Sequence, residues 1–255
     1  MKIVIADLCK TEKFVTLFQQ MKSFTDSINI QLQEEQLFLQ SIDANRVSIF
    51  ELYLPKEWFD EYTINEPCEM GIYTNLLNNV FQTRQKHQSI TMHDEYGDDK
   101  LGISFSSEQD SIQKDFVLPL FDLDTELMSI PNMDHHINIL IDSGMFSENM
   151  KQLKLFGDNI CFQCKEDCLS FCSPEDDNGK MNVSIPKAEL IDYSYTQSIN
   201  MSFSTNILNQ VCSFQKLNKN FQISITDAFP LKISLDIDPT STDAKVVFYI
   251  APLVE

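Results

Sequence analysis

Residues 14–37 read FVTLFQQMKSFTDSINIQLQEEQL, and residues 146–169 read FSENMKQLKLFGDNICFQCKEDCL. Shifted by 132 residues, Phe14, Gln20, Lys22, Phe24, Asp26, Ile28, Gln31, Glu34 and Leu37 fall on identical residues, nine identities in 24 positions without a gap. Further along, residues 73–80 (YTNLLNNV) lie on residues 204–211 (STNILNQV) at a shift of 131, with five of eight identical. Two separate blocks at nearly one offset mark a tandem duplication. Each copy takes about half of the 255 residues, an ordinary domain size.

Both copies carry the same pattern. Phe14, Leu17, Phe18 and Met21 stand at i, i+3, i+4 and i+7, the buried stripe of a helix. Alternating strand patterns follow, Ile28 to Leu32 and Val47 to Leu52, the first answered by Ile160 to Cys164. The helix windows predicted are 10–22 and 74–86 in the first copy, 145–156 and 206–219 in the second. More strands close each copy, Ile90 to Met92 and Leu101 to Phe105, then Ile223 to Ile225 and Leu231 to Leu235. Alternation implies strands with one buried face. The predicted class is α+β, with mainly antiparallel sheets covered by two helices per copy. The expected division is a first domain over 1–117, a linker over 118–134 and a second domain over 135–255. The linker stretch 118–131, LPLFDLDTELMSIP, is too apolar for an ordinary solvated loop and is expected to lie across the surface.

Charge is segregated. The net charge is −19, which taken alone argues against nucleic acid. The four helix windows nevertheless hold Lys10, Lys13, Lys22, Arg84, Lys86, Lys151, Lys154, Lys216 and Lys219 against only Glu12 and Glu148. They sum to +7 and leave −26 elsewhere. The bland reading is four amphipathic helices with solvated lysines. The functional reading is a basic surface that meets phosphates without reading bases, with Asn75, Asn78, Asn79, Asn206 and Asn209 adding weak, exchangeable contacts.

Other chemistry is thin. Cys161, Cys164, Cys168 and Cys172 suggest zinc at first sight, but Cys161 and Cys164 point to opposite faces of one strand. Cys164 aligns with the core-type Leu32, and small thiols are the better reading. Adjacent His135 and His136 make a poor metal pair for the same reason. The paired carboxylates Asp98-Asp99 and Asp176-Asp177 read as solubilising loops. There is no P-loop, nucleophile elbow or His-Glu metal motif, so no catalytic residue, metal or cofactor is assigned. No early apolar run makes a secretion signal and none is long enough for a membrane span, so the chain is expected to be soluble and intracellular.

Several segments, in order along the chain, resemble the proliferating cell nuclear antigen family of DNA sliding clamps. They are 39–48 (LQSIDANRVS), Asp122-Leu123-Asp124 with Ile130-Pro131, Ser143-Gly144 before Phe146, Gly157-Asp158, and 248–252 (FYIAP). The resemblance implies the DNA-clamp fold and a non-enzymatic homotrimeric ring that encircles duplex DNA. Such a ring acts as polymerase processivity factor and docking platform, is opened by a clamp loader, and works in the nucleus or in the replication compartment of an infected cell. It implies subunit contacts through Asp115 and Phe116 on 111–118 and Lys180, Val183 and Ile185 on 180–185. It also implies a pocket for a partner peptide, formed by Ile42, Val47, Ile49, Met128, Ile130, Pro230, Tyr249, Ala251 and Pro252. The chain departs from the family at Asn79, Gln82, Glu148 and Ser213, helix positions that are commonly basic. Glu166 replaces a modifiable lysine, with Lys165 beside it. This divergence suits a viral or protist clamp. The alternatives are a subunit of a heterotrimeric or checkpoint-type ring, favoured by the thinned basic helices, and a β-rich metal-dependent nuclease, disfavoured by the missing acidic metal cluster.

Overall fold

The structure, a computed structural model, describes residues 1–97, 99–108, 111–123, 126–131, 133–175, 179–238 and 241–253. The linker's Asp124 and the loop residues Asp98, Asp176 and Asp177 lie outside them. The described chain forms two compact units. One comprises residues 1–44, 50–128 and 236–246; the other comprises 45–49, 129–235 and 247–255.

The first half of the chain runs β1 (Lys2–Ile5), α1 (Leu8–Met21), β2 (Ser27–Leu32), β3 (Gln36–Ile42), β4 (Ser48–Pro55), β5 (Glu61–Thr63), β6 (Cys68–Tyr73), α2 (Thr74–Gln82), β7 (Ser89–His93), β8 (Lys100–Ser106) and β9 (Lys114–Pro119). One sheet has the order β5-β1-β7-β8-β9, and β4-β3-β2-β6 are neighbours in another. The second half of the chain repeats the plan with β10 (Ile137–Asp142), α3 (Ser143–Leu153), β11 (Asn159–Lys165), β12 (Cys168–Cys172), β13 (Asn182–Pro186), β14 (Asp192–Tyr195), β15 (Ile199–Ser204), α4 (Thr205–Cys212), β16 (Asn220–Ile225), β17 (Leu231–Asp238) and β18 (Ser241–Ile250). Its strand orders are β14-β10-β16-β17-β18 and β13-β12-β11-β15. These strands pair antiparallel with their neighbours.

The duplication is written into the hydrogen bonds. Ser27 faces Tyr73 across β2 and β6, and Asn159 faces Ser204 across β11 and β15, the same pair at both sequence offsets. Thr74 opens α2 with its N–H on Asp26 O and its hydroxyl on Thr25 O. Thr205 opens α4 with its N–H on Asp158 O and its hydroxyl on Gly157 O. Asp7 and Asp142 cap α1 and α3, accepting from the N–H of Lys10 at 2.8 Å and of Met145 at 2.7 Å. Each helix pair turns aromatic rings inward. Phe14, Phe18 and Phe81 meet in the first unit, and Phe146 meets Phe171 and Phe221 in the second.

Two expectations need correction. The second helix of each copy is shorter than its window, since α2 ends at Gln82 and α4 at Cys212. Thr83 and Ser213, just past α2 and α4, turn their hydroxyls back onto the carbonyls of Val80 and Gln210 and help close the last turn. Arg84 and Lys86 therefore follow α2, and Lys216 sits in a 3-10 turn after α4. Nor does β2 keep one open face, for Asn29 and Gln31 are buried beside its apolar residues. Their amides both donate to the Glu69 carboxylate on β6, at 2.6 and 3.1 Å.

The first part of the linker lies on the first unit, as its apolar composition suggested. Phe121 bridges to Gly71 through its N–H at 3.1 Å and stacks on Tyr73 with ring centroids 4.5 Å apart. A Cβ on Gly71 would stand 2.1 Å from Phe121 O and 3.2 Å from Leu123 Cβ, so the linker needs a glycine there. Gly71→Ala should displace residues 121–123 and cost about 1–3 kcal/mol of overpacking energy. Denaturant titration with hydrogen exchange at Phe121 checks this; unchanged stability together with an unchanged Phe121 exchange rate would refute the close contact.

Candidate functional site

The cations identified from the sequence fall into two groups. Lys22, Lys86, Lys151, Lys154, Lys216 and Lys219 are exposed. Lys10, Lys13 and Arg84 are half-buried and held by the protein itself. The Lys10 ammonium donates to Trp58 O at 2.7 Å and lies 5.6 Å from the Trp58 ring centre. Lys13 donates to Ile237 O. Arg84 donates to the carbonyls of Gln85, Lys86 and Gln88 and pairs with Glu12 at 2.8 Å, its side chain only 3 % exposed. Burial lowers the Arg84 pKa, and Glu12 partly offsets it. Arg84 is therefore a strut that ties the turn after α2 to α1. The first unit keeps two exposed cations just past its helices, Lys22 and Lys86, and the second keeps four on or just past its own. Opposing carboxylates are spent locally, since Glu12 holds Arg84 and Glu148 accepts from Gln152 at 2.8 Å.

The apolar residues expected to bind peptides also sort by unit. Ile42 and Met128 belong to the first, Ile42 half-buried and Met128 50 % exposed. Val47, Ile49, Ile130, Pro230, Tyr249, Ala251 and Pro252 all belong to the second. There the Ala251 N–H donates to Val47 O at 2.9 Å, which joins the C-terminal segment to residues 45–49. Pro230 and Ala251 are exposed, and the other five are half-buried. Sequence reasoning missed two exposed apolar neighbours, Leu127 and Phe229. A large apolar residue in the turn Thr226-Asp227-Ala228-Phe229-Pro230 was the available sign, and Ala228 adopts φ +61° there.

It also missed what holds the linker. Gln40 accepts from the Met128 N–H at 2.7 Å and donates to Met128 O at 2.9 Å, so one side-chain amide mimics a strand partner. Its amide also donates to Glu51 at 2.9 Å, and Glu51, 5 % exposed, accepts from the Tyr53 hydroxyl at 2.8 Å. The buried carboxylate orients the amide, and the amide orients the linker.

Asp115 and Phe116 lie on β9, and Val183 and Ile185 on β13, with Lys180 just before it. β9 and β13 are terminal strands of their sheets. The Asp115 carboxyl sits below the usual carboxylate range because Ser104, then Gln113, donates to it. Phe116 leans on Phe105 at 5.5 Å.

Cys164 is fully buried, whereas Cys161, Cys168 and Cys172 are half-exposed. The described residues hold no cluster of three or more His, Cys, Asp or Glu able to take a metal. The His135 ring meets Thr226 Oγ1 at 3.0 Å, and that of His136 accepts from the Asp227 N–H at 3.5 Å. Burial depresses the His135 pKa. No helix among the described residues is long and apolar enough to cross a membrane.

Two family models match in tandem, the proliferating cell nuclear antigen N-terminal domain over residues 4–127 and the C-terminal domain over residues 129–253. The chain belongs to the proliferating cell nuclear antigen family. It is thus a divergent member of the sliding clamps, proteins that act as scaffolds rather than catalysts. It is 23 % identical over 251 residues to proliferating cell nuclear antigen 2 of Plasmodium falciparum, covering 94 % of this chain and 95 % of that one. Its fold is similar to the crystal structure of the proliferating cell nuclear antigen of Thermococcus kodakaraensis, with a TM-score of 0.87 at 20 % identity over 99 % of each chain.

Removing the Gln40 amide tests how this clamp secures its linker. Gln40→Ala should speed exchange of the Met128 N–H at least about tenfold, since it loses its acceptor and leaves Glu51 short of a donor. Hydrogen exchange read by mass spectrometry is the measurement. An unchanged Met128 rate would mean that other contacts hold the linker.

Proposed function

We propose that this chain assembles into a homotrimeric ring around duplex DNA and acts there as a processivity factor and docking platform. The observation that carries the reading is the set of exposed lysines on or just past the helices of a strongly acidic clamp. A ring needs no tight DNA contact, because topology retains it. A few mobile ammonium groups, screened by salt, suit sliding over phosphates. Ring closure would pair β9 of one protomer with β13 of the next, a head-to-tail contact that closes by rotation. Uncovered edge strands invite pairing, and Ile112 and Val117 beside that edge are about half exposed. A clamp loader would open the ring. The working compartment would be the nucleus, or the replication compartment of an infected cell.

Reversing Lys151, Lys154, Lys216 and Lys219 to Glu tests the DNA-facing surface without disturbing Lys10, Lys13 or Arg84. Light scattering should give three times 29.4 kDa for wild type and variant alike. Primer extension on a circular single-stranded template should give products several-fold shorter with the variant. Equal product lengths would refute the surface, and a wild-type chain that trimerises only with different chains would select the heterotrimeric reading.

Partners would dock through a short peptide bearing a glutamine and two aromatics, with its rings against Ile130, Tyr249 and Pro252 and its backbone added to the C-terminal segment. Loss of one apolar anchor costs about 2 kcal/mol. Ile130→Ser should therefore weaken a fluorescent peptide of this type more than about tenfold in an anisotropy titration, with the trimer intact. Equal affinities, or no binding by wild type, would remove the pocket.

A further inference from the structure

The outer face of the sheet β13-β12-β11-β15 carries chemistry that a sliding clamp does not use. Cys161 on β11 and Cys172 on β12 are register partners, and Cys168 lies on the same face of β12. All three thiols are free and half-exposed. They line an open groove of about 650 Å³ together with Lys165 and Lys180. We propose that Cys161 and Cys172 form a reversible oxidation site that closes to a cross-strand disulfide when it meets a low-molecular-weight disulfide.

The register supplies the geometry. Lys165 and Cys168 flank the two-residue turn Glu166-Asp167, so they form a hydrogen-bonded pair. Cys161 and Cys172 stand an even number of steps further along and share that class. Such partners have Cα atoms about 5.5 Å apart, inside the range of roughly 4.4–6.8 Å that a disulfide spans. In the structure the two thiols lean apart. Cys161 donates to Asn200 Oδ1 at 2.8 Å, and Cys172 to Asn182 Oδ1 at 2.9 Å. Rotation about one side-chain bond in each turns the sulfurs toward each other. The Cβ atoms of such a pair must then draw together, and exposed, strained disulfides are the readily reduced kind. The bond is therefore reversible.

Cys168 has a different fate. Its register partner is Lys165, and Cys172 lies four residues away on the same strand, about 13 Å. No thiol on this face is in its reach. Burial opposes ionisation of Cys168, but hydrogen bonds with Ser170 and Ser184 and the charge of Lys165 bring its pKa below the usual thiol value. It takes a single adduct.

The exchange balances with an oxidised glutathione as reactant. One protein thiolate attacks a glutathione sulfur, forming a mixed disulfide and expelling the first glutathione thiolate. The partner thiolate then attacks the protein sulfur of that mixed disulfide and expels the second. Two protein thiols become one disulfide, and their protons leave on two reduced glutathiones. Lys165 lies on the groove's lining, and Lys180 there pairs with Glu175 at 3.4 Å, so the groove carries charge of both signs.

The repeat makes the placement informative. Cys161 and Cys172 stand where the first unit has Asn29 and Gln40. There the amides bind Glu69 and the linker, and both are buried. The second unit presents thiols to solvent at the same steps of the ladder.

The test uses the full chain, reduced and then equilibrated in mixtures of oxidised and reduced glutathione, alkylated and digested with trypsin. Cleavage after Lys165 separates the two cysteines, so the bond appears as peptide 155–165 joined to peptide 166–180. Fragmentation should place it at Cys161–Cys172, at least tenfold above any other pairing. Cys161→Ser and Cys172→Ser should each abolish it, and Cys168→Ser should leave it. In urea the selectivity should vanish. Recovery of Cys161 and Cys172 as separate adducts, a dominant link through Cys164 or Cys168, or equal selectivity in urea would overturn the proposal. The Cys168→Ser chain retains both partners and keeps the test decisive should either other variant fail to fold.

Discussion

Each unit depends on one constraint, that two helices must bury an aromatic face against sheets made largely of alternating strands. Phe14, Phe18 and Phe81 in the first unit and Phe146 in the second are almost fully enclosed. Burying such a ring is worth about 1.5–3 kcal/mol. The tilted and edge-on rings fix how each helix pair seats on its strands. Once that face is buried, the opposite helix face must be polar, and its composition is open to selection for function. In this chain that freedom is used for Asn, Gln and a few lysines in an otherwise acidic molecule.

The two copies use the same frame unequally. Thr74 and Thr205 start their helices with matching hydrogen bonds, so the frame is duplicated to the level of single carbonyls. The outer faces diverge. The first unit buries Asn29, Gln31, Gln40 and Glu51 with polar partners, Asn29 and Gln31 on the exposed Glu69 and Gln40 on Glu51, and Gln40 in turn grips the linker at Met128. The second leaves the equivalent positions half-exposed and fills several of them with cysteine. A polar network with paired members tolerates burial, whereas thiols lose little by remaining near water. One face came to hold a tether, and the other became open to chemistry.

The cations show why composition overstates a surface. Nine basic residues lie in the helix windows, but a lysine or arginine beside an unsatisfied carbonyl is drawn to it. Lys10, Lys13 and Arg84 cap the carbonyls of Trp58, Ile237 and the turn after α2. Six others remain exposed, and most of them are in the second unit.

The duplication, the helix and strand periods, the antiparallel class and the excess of positive charge near the helices were all legible in the sequence. Each is a local quantity: side-chain burial repeats every two or three to four residues, and a copied segment preserves it. The tertiary structure alone decided the rest. It set which cations are free, because Arg84 meets Glu12 across 72 residues. It set what secures the linker, because Gln40 meets Met128 across 88 residues. And it placed Cys161 opposite Cys172, because the two-residue turn at Glu166-Asp167 sets the register of the hairpin. The first two pairings join segments that no spacing rule connects, and they exist only once the chain has folded.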